Sequence, residues 1–143
     1  ELGGLTTFID SNGAAPPHVW TLLDPVLDGA MIDLKALDPG THRLITGRTN
    51  STVLASIELL AGLGKLYEVR LLLLPGFNDD ERTLQRTGAW LASVDPNMRI
   101  KLIGFRRHGT LPPVDTWPEP SAEQMERAAD VIRGEGLADI RVV

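Results

Sequence analysis

The chain has 143 residues, 43% hydrophobic and 23% charged, with a net charge of −5 and no cysteine. That length is one domain or part of one, large enough to bury roughly two-thirds of its unfolded surface. The acidic balance argues against general nucleic-acid binding, which needs many phosphate-neutralising Lys and Arg. The absence of cysteine excludes disulfides, zinc ribbons and self-contained iron–sulfur ligation. No run of about 18 apolar residues occurs, so no membrane-spanning helix is expected. The opening segment has no signal-type hydrophobic stretch, and a cytoplasmic location is the default expectation.

Strand-like and helix-like segments alternate along the chain. Leu5 to Ile9 is a short β-rich run entering the turn signal Asp10-Ser11-Asn12-Gly13. Gly29 to Leu34 is a second apolar run, followed by Asp38-Pro39, an N-cap with proline at the first helical position. Asn50 is expected to cap a helix whose Val53, Leu54, Ile57, Leu60 and Ala61 follow a helical stripe. Tyr67 to Leu74 is the clearest strand, stopped by Pro75-Gly76. Asn78 with Glu81 resembles a capping box opening a helix to about Ser93. Arg99 to Phe105 is a fourth strand. Ser121 with Gln124 opens a helix burying Met125, Ala128, Ala129 and Ile132, and Ile140 to Val143 is a fifth strand.

Near-continuous apolar strands alternating with helices predict right-handed βαβ units and a parallel sheet. Four or five such units make half of a β/α barrel or an open α/β sheet, here read as a single domain over 1–143. Loops at the C-terminal strand ends then carry the site. The stretch 110–120 has four prolines and reads as a stiff flap. Trp117 on it either anchors a partner or tucks the flap down.

The polar residues in and just after the strands are the candidates for chemistry. Asp33 and Lys35 share one strand face. They form either a strand-end ion pair or a ligand site, and a compact ammonium suits the carboxylate of a small zwitterion. Arg70 lies inside an apolar strand and demands an anion or several acceptors, from a ligand or from a neighbouring strand. Asp10 and Ser11 begin a turn whose oxygens also suit a hard cation. Arg106 and His108 follow the fourth strand, where a solvated basic turn is the simpler reading.

Two segments, MIDLKALDPGTHRLITGRTN from Met31 to Asn50 and KLYEVRLLLLPGFNDD from Lys65 to Asp80, resemble the C-terminal part of radical S-adenosylmethionine enzymes. The resemblance is to the pyruvate formate-lyase (glycyl-radical) activating enzymes and runs from Asp10 to about Phe105. It implies that Asp10, Ser11 and Asp33 hold a monovalent cation. It also implies that Lys35, with Asp10, Asp33 and Arg70, binds S-adenosylmethionine. At the family's proline-aromatic-histidine sequence this chain has Gly104, Phe105 and Arg106, so Arg106 stands where the histidine would be and His108 is the substitute candidate. His42, Thr46, Gly47 and Asn50 match a family spacing and are read as caps and a tight turn.

In the family a 4Fe-4S cluster on three cysteines cleaves S-adenosylmethionine, and the 5′-deoxyadenosyl radical abstracts hydrogen from a glycine of a partner such as pyruvate formate-lyase. This chain then represents the C-terminal portion of such an oxidoreductase, inactive alone because the cluster ligands are absent, and open sheet edges invite dimerisation. Two other readings stand beside it. Asp33-x-Lys35-x-x-Asp38 also resembles the motif of orotidine phosphate decarboxylase and its sugar-phosphate relatives. A non-catalytic half-barrel interaction module is the third, and it predicts that Asp10, Asp33, Lys35 and Arg70 pair only with each other.

Overall fold

A computed structural model describes residues 4–143. The elements in chain order are β1 (Phe8–Ser11), α1 (Pro17–Leu23), β2 (Gly29–Leu34), α2 (Pro39–Thr46), α3 (Ser51–Gly62), β3 (Leu66–Leu73), α4 (Glu81–Val94), β4 (Ile100–Gly104), α5 (Ala122–Gly134) and β5 (Ile140–Val142). All five strands run parallel in one sheet ordered β1-β2-β3-β4-β5. Right-handed crossovers in an unbroken order place every helix on the same side, as in a barrel wall; a doubly wound sheet would reverse its order. The fold is therefore a partial β/α barrel.

Side-chain alternation follows from this arrangement. Ala30, Ile32 and Leu34, then Val69, Leu71 and Leu73, then Ile100 and Leu102 face the helices and are buried in one core with Ile57, Leu60, Leu91, Ala129 and Ile132. The opposite residues, Asp10, Met31, Asp33, Glu68, Arg70, Leu72, Lys101 and Ile103, lie on the face without helices, and most are only partly covered. A register irregularity between Ala30 and Met31 inserts Tyr67 into β3. Its ring meets Phe8 edge-on at 4.9 Å and carries Arg99 at 4.3 Å.

The helix starts show which sequence signals acted. Asp38 caps α2, its Oδ1 accepting the Thr41 amide at 2.7 Å, and Gly47 ends that helix in the left-handed region at φ 77. Ser121 and Gln124 form the expected capping box of α5. Two other caps differ from expectation. Asp80, rather than Asn78, caps α4 by accepting the Thr83 amide at 3.0 Å. Asn50 occupies the cap position of α3, but its side chain turns away and donates to the carbonyls of Ala36 and Leu37. In both cases the asparagine satisfies buried carbonyls that no helix end could reach, and those outrank an exposed cap.

Helix α1 is absent from the sequence reading. It spans seven residues and buries only Trp20, so it carries no apolar stripe to detect. Trp20 is an anchor: its indole N–H donates to Ser56 Oγ at 2.8 Å, and Ser56 donates onward to the Gly13 carbonyl at 2.8 Å. Gly13 itself has φ 71, and a Cβ there would stand 2.8 Å from the Ile32 side chain. The turn after β1 is thus pressed against the core, which only glycine permits.

Candidate functional site

Two charge clusters lie on the helix-free face and its C-terminal rim. In the first, Arg70 projects from β3 and donates from Nε to Glu68 at 3.0 Å and from Nη1 to Asp10 on β1 at 2.5 Å. Its Nη2 lies 3.1 Å from the Met31 sulfur on β2. The guanidinium therefore spans three strands. The hydrogen bond to Glu68 is the main cause holding its proton affinity above the ordinary arginine value, against the cost of burial, and Asp10 adds to it.

The second cluster is Lys35 and Asp33, 2.8 Å apart at the end of β2, with side chains 35% and 28% exposed. A pair this accessible can exchange its mutual contact for a zwitterionic ligand, ammonium to carboxylate and carboxylate to ammonium. Asp33 stands in register with Arg70, and Asp10 with Met31, so both clusters share one face.

The lysine is held from behind. Asn78, buried in the turn after β3, donates to the Lys35 carbonyl at 3.2 Å and the Leu72 carbonyl at 2.8 Å, and accepts the Leu74 amide at 2.8 Å. One side chain thereby ties the end of β2 to the loop after β3. The Pro-Gly-x-Asn stretch is accordingly a lock on the rim.

The remaining expected residues are placed differently. Ser11 Oγ accepts the Gly13 amide at 3.1 Å and shapes the turn. Arg106 is exposed and contacts Glu119 of the flap at 3.4 Å. Glu119 also accepts the Arg107 amide at 2.9 Å, the main cause holding its carboxyl below the ordinary range. His108 is exposed and has no hydrogen-bond partner among the described residues. Among the described residues no group of three or more His, Asp or Glu converges as metal ligands. The flap closes on the barrel through Trp117, whose ring lies 4.5 Å from Phe77 and 6.2 Å from Phe105. Asp38, third member of the decarboxylase-like pattern, is consumed by capping α2, which also lowers its carboxyl's proton affinity through the Thr41 amide.

Sequence reasoning missed Glu68 and Asn78. Glu68 had a readable signal, since Glu68-x-Arg70 puts both charges on one strand face. Asn78 had a capping-box signal and a place in the resembling segment, and neither points to the Lys35 carbonyl that it holds.

No protein-family model matches the chain. Pairwise comparison finds relatives. The chain is 29% identical over 84 residues to the pyruvate formate-lyase-activating enzyme of Streptococcus mutans, covering 59% of this chain and 32% of that protein. It is 26% identical over 144 residues to the pyruvate formate-lyase 1-activating enzyme of Escherichia coli, covering 93% of this chain and 58% of that one. The chain is similar to pyruvate formate-lyase-activating enzymes over most of its length. It thus spans between a third and somewhat over half of the length of these relatives. For the fold, the crystal structure of a domain of pyruvate-formate lyase-activating enzyme from Bacteroides vulgatus superimposes with a TM-score of 0.81 at 22% identity, covering 98% of this chain and 82% of that one. Among the described residues, no helix is long and apolar enough to cross a membrane.

Proposed function

We propose that this chain is the S-adenosylmethionine-binding portion of a radical activating enzyme whose partner is a glycyl-radical enzyme such as pyruvate formate-lyase. The observation that carries the reading is the rim pair Asp33–Lys35, fixed by Asn78 and left accessible. Its donor set fits the methionyl zwitterion: Lys35 would hold the carboxylate and Asp33 the ammonium. Arg70, braced by Glu68 and Asp10, would set the charge on the face beneath. Asp10, Ser11 and Asp33 supply oxygens of the kind a monovalent cation takes, once Asp10 and Asp33 exchange part of their contact with Arg70 and Lys35. The residues present do not fit a 4Fe-4S cluster, since the chain has no cysteine. Cluster ligation, and with it reductive cleavage of S-adenosylmethionine, belongs to residues outside this sequence. Arg106 and His108 are candidates for the adenosyl side only if the Glu119 contact opens.

Titration calorimetry of the chain with S-adenosylmethionine is expected to give saturable binding. Lys35→Ala and Asp33→Ala should each weaken it about tenfold or more, the worth of one charge-assisted hydrogen bond, with the circular-dichroism spectrum unchanged. Absent binding, or affinity indifferent to both substitutions, contradicts the placement of the cofactor on this pair.

A further inference from the structure

Between β4 and α5 the chain crosses the C-terminal ends of β3 and β4 in a segment joined to the barrel at few points. From 111 to 120 its backbone hydrogen bonds close on themselves. The Val114 amide donates to Leu111 at 2.9 Å, Thr116 to Pro113 at 3.1 Å and Trp117 to Val114 at 3.1 Å. Among the described residues, every hydrogen bond from 111–120 to the rest of the chain ends on the Glu119 side chain. It accepts the Arg107 amide at 2.9 Å and the Arg106 guanidinium at 3.4 Å. The apolar attachment is Trp117 on Phe77 and Phe105, and none of these three rings belongs to the core around Ile57 and Leu91.

We infer that residues 110–120 are a lid over the rim above β3 and β4, opening as one body, with Glu119 as its latch and Trp117 as its plug. Prolines 112, 113, 118 and 120 fix the backbone of the segment, so it cannot peel away residue by residue. Gly109, at φ 80, supplies the sharp turn where it begins. The barrel is shaped to receive its other end: a Cβ on Gly104 would stand 2.9 Å from Pro120 Cγ. The closed position is weakly held, because exposed ion pairs such as Glu119 with Arg106 and Arg107 contribute little. Opening frees both arginines from the one carboxylate that faces them among the described residues and bares Phe77, the neighbour of Asn78. The lid governs access to these strand ends, and the inference does not rest on the cofactor reading.

The test is NMR of the chain and of two variants, reading the latch when the plug is removed and the plug when the latch is removed. Trp117→Ala should speed hydrogen exchange of the Arg107 amide about tenfold, the worth of one aromatic pair, although Trp117 bonds to neither arginine. Glu119→Ala should move the Trp117 indole N–H resonance to a solvent-exposed position and leave those of Trp20 and Trp90 in place. Exchange of the strand amides of Val69 and Leu102 should be unchanged in both variants, which shows the barrel intact. An Arg107 amide indifferent to Trp117→Ala, or a Trp117 indole indifferent to Glu119→Ala, would make latch and plug independent contacts and overturn the lid. Faster exchange extending equally to Val69 and Leu102 would overturn it too, since the segment would then belong to the barrel's own cooperative unit.

Discussion

Arg70→Met is expected to destabilise the chain by about 3 kcal/mol at neutral pH, the scale for removing one partner of a buried ion pair. Glu68 is only 9% exposed, and Arg70 is the cation that faces it. Methionine fills similar volume, so the loss reports an uncompensated carboxylate rather than a cavity. Adding Glu68→Gln to Arg70→Met removes the stranded carboxylate and should recover more than half of the loss. Urea denaturation of the parent and both variants at neutral pH measures the loss and the recovery. A single variant as stable as the parent at pH 7 would mean that Glu68 reaches water or Lys101 instead.

Asn78→Ala should cost a similar amount, about 3 kcal/mol, because it strands the Leu74 amide and deprives the Leu72 and Lys35 carbonyls of their donor. Asn78→Asp keeps an acceptor for Leu74 but aims a carboxylate at two carbonyl oxygens, so it should rescue nothing. The functional consequence separates this residue from an ordinary core position. With the β2 end released, S-adenosylmethionine affinity should fall even at temperatures where the variant remains folded. Thermal melts paired with calorimetry below the transition distinguish the two effects. Wild-type affinity in a destabilised Asn78→Ala would remove Asn78 as the residue that positions Lys35.

The barrel wall was legible because its strands are marked on both sides. Gly29 to Leu34 and Ile100 to Gly104 are apolar runs between turn signals, and burial against helices makes that pattern obligatory. The caps at Asp38 and Ser121 were legible for the same local reason. Asn50 and Asn78 were not, since the same residue type caps helices and satisfies buried loop carbonyls, and only the tertiary arrangement decides. Asp33 with Lys35 and the demand of Arg70 for acceptors followed from strand periodicity. That Arg70 would reach Asp10, sixty positions away in sequence, required the strand order. Trp117 illustrates the limit of composition: the sequence offered an interface anchor or a tucked flap, and the contacts with Phe77 and Phe105 give the tucked flap.

If these residues are the cofactor-holding part of a radical enzyme, the cluster ligands lie on other residues, since the chain has no cysteine. The most direct measurement is the coding frame upstream of Glu1, read together with the intact mass of the natively expressed protein. A Cys-x-x-x-Cys-x-x-Cys loop is expected roughly a hundred residues upstream, the span of the remaining barrel units. A native protein that begins at or near Glu1, with no cysteine-bearing partner encoded beside it, would rule out the cofactor-holding role and favour a non-catalytic half-barrel module.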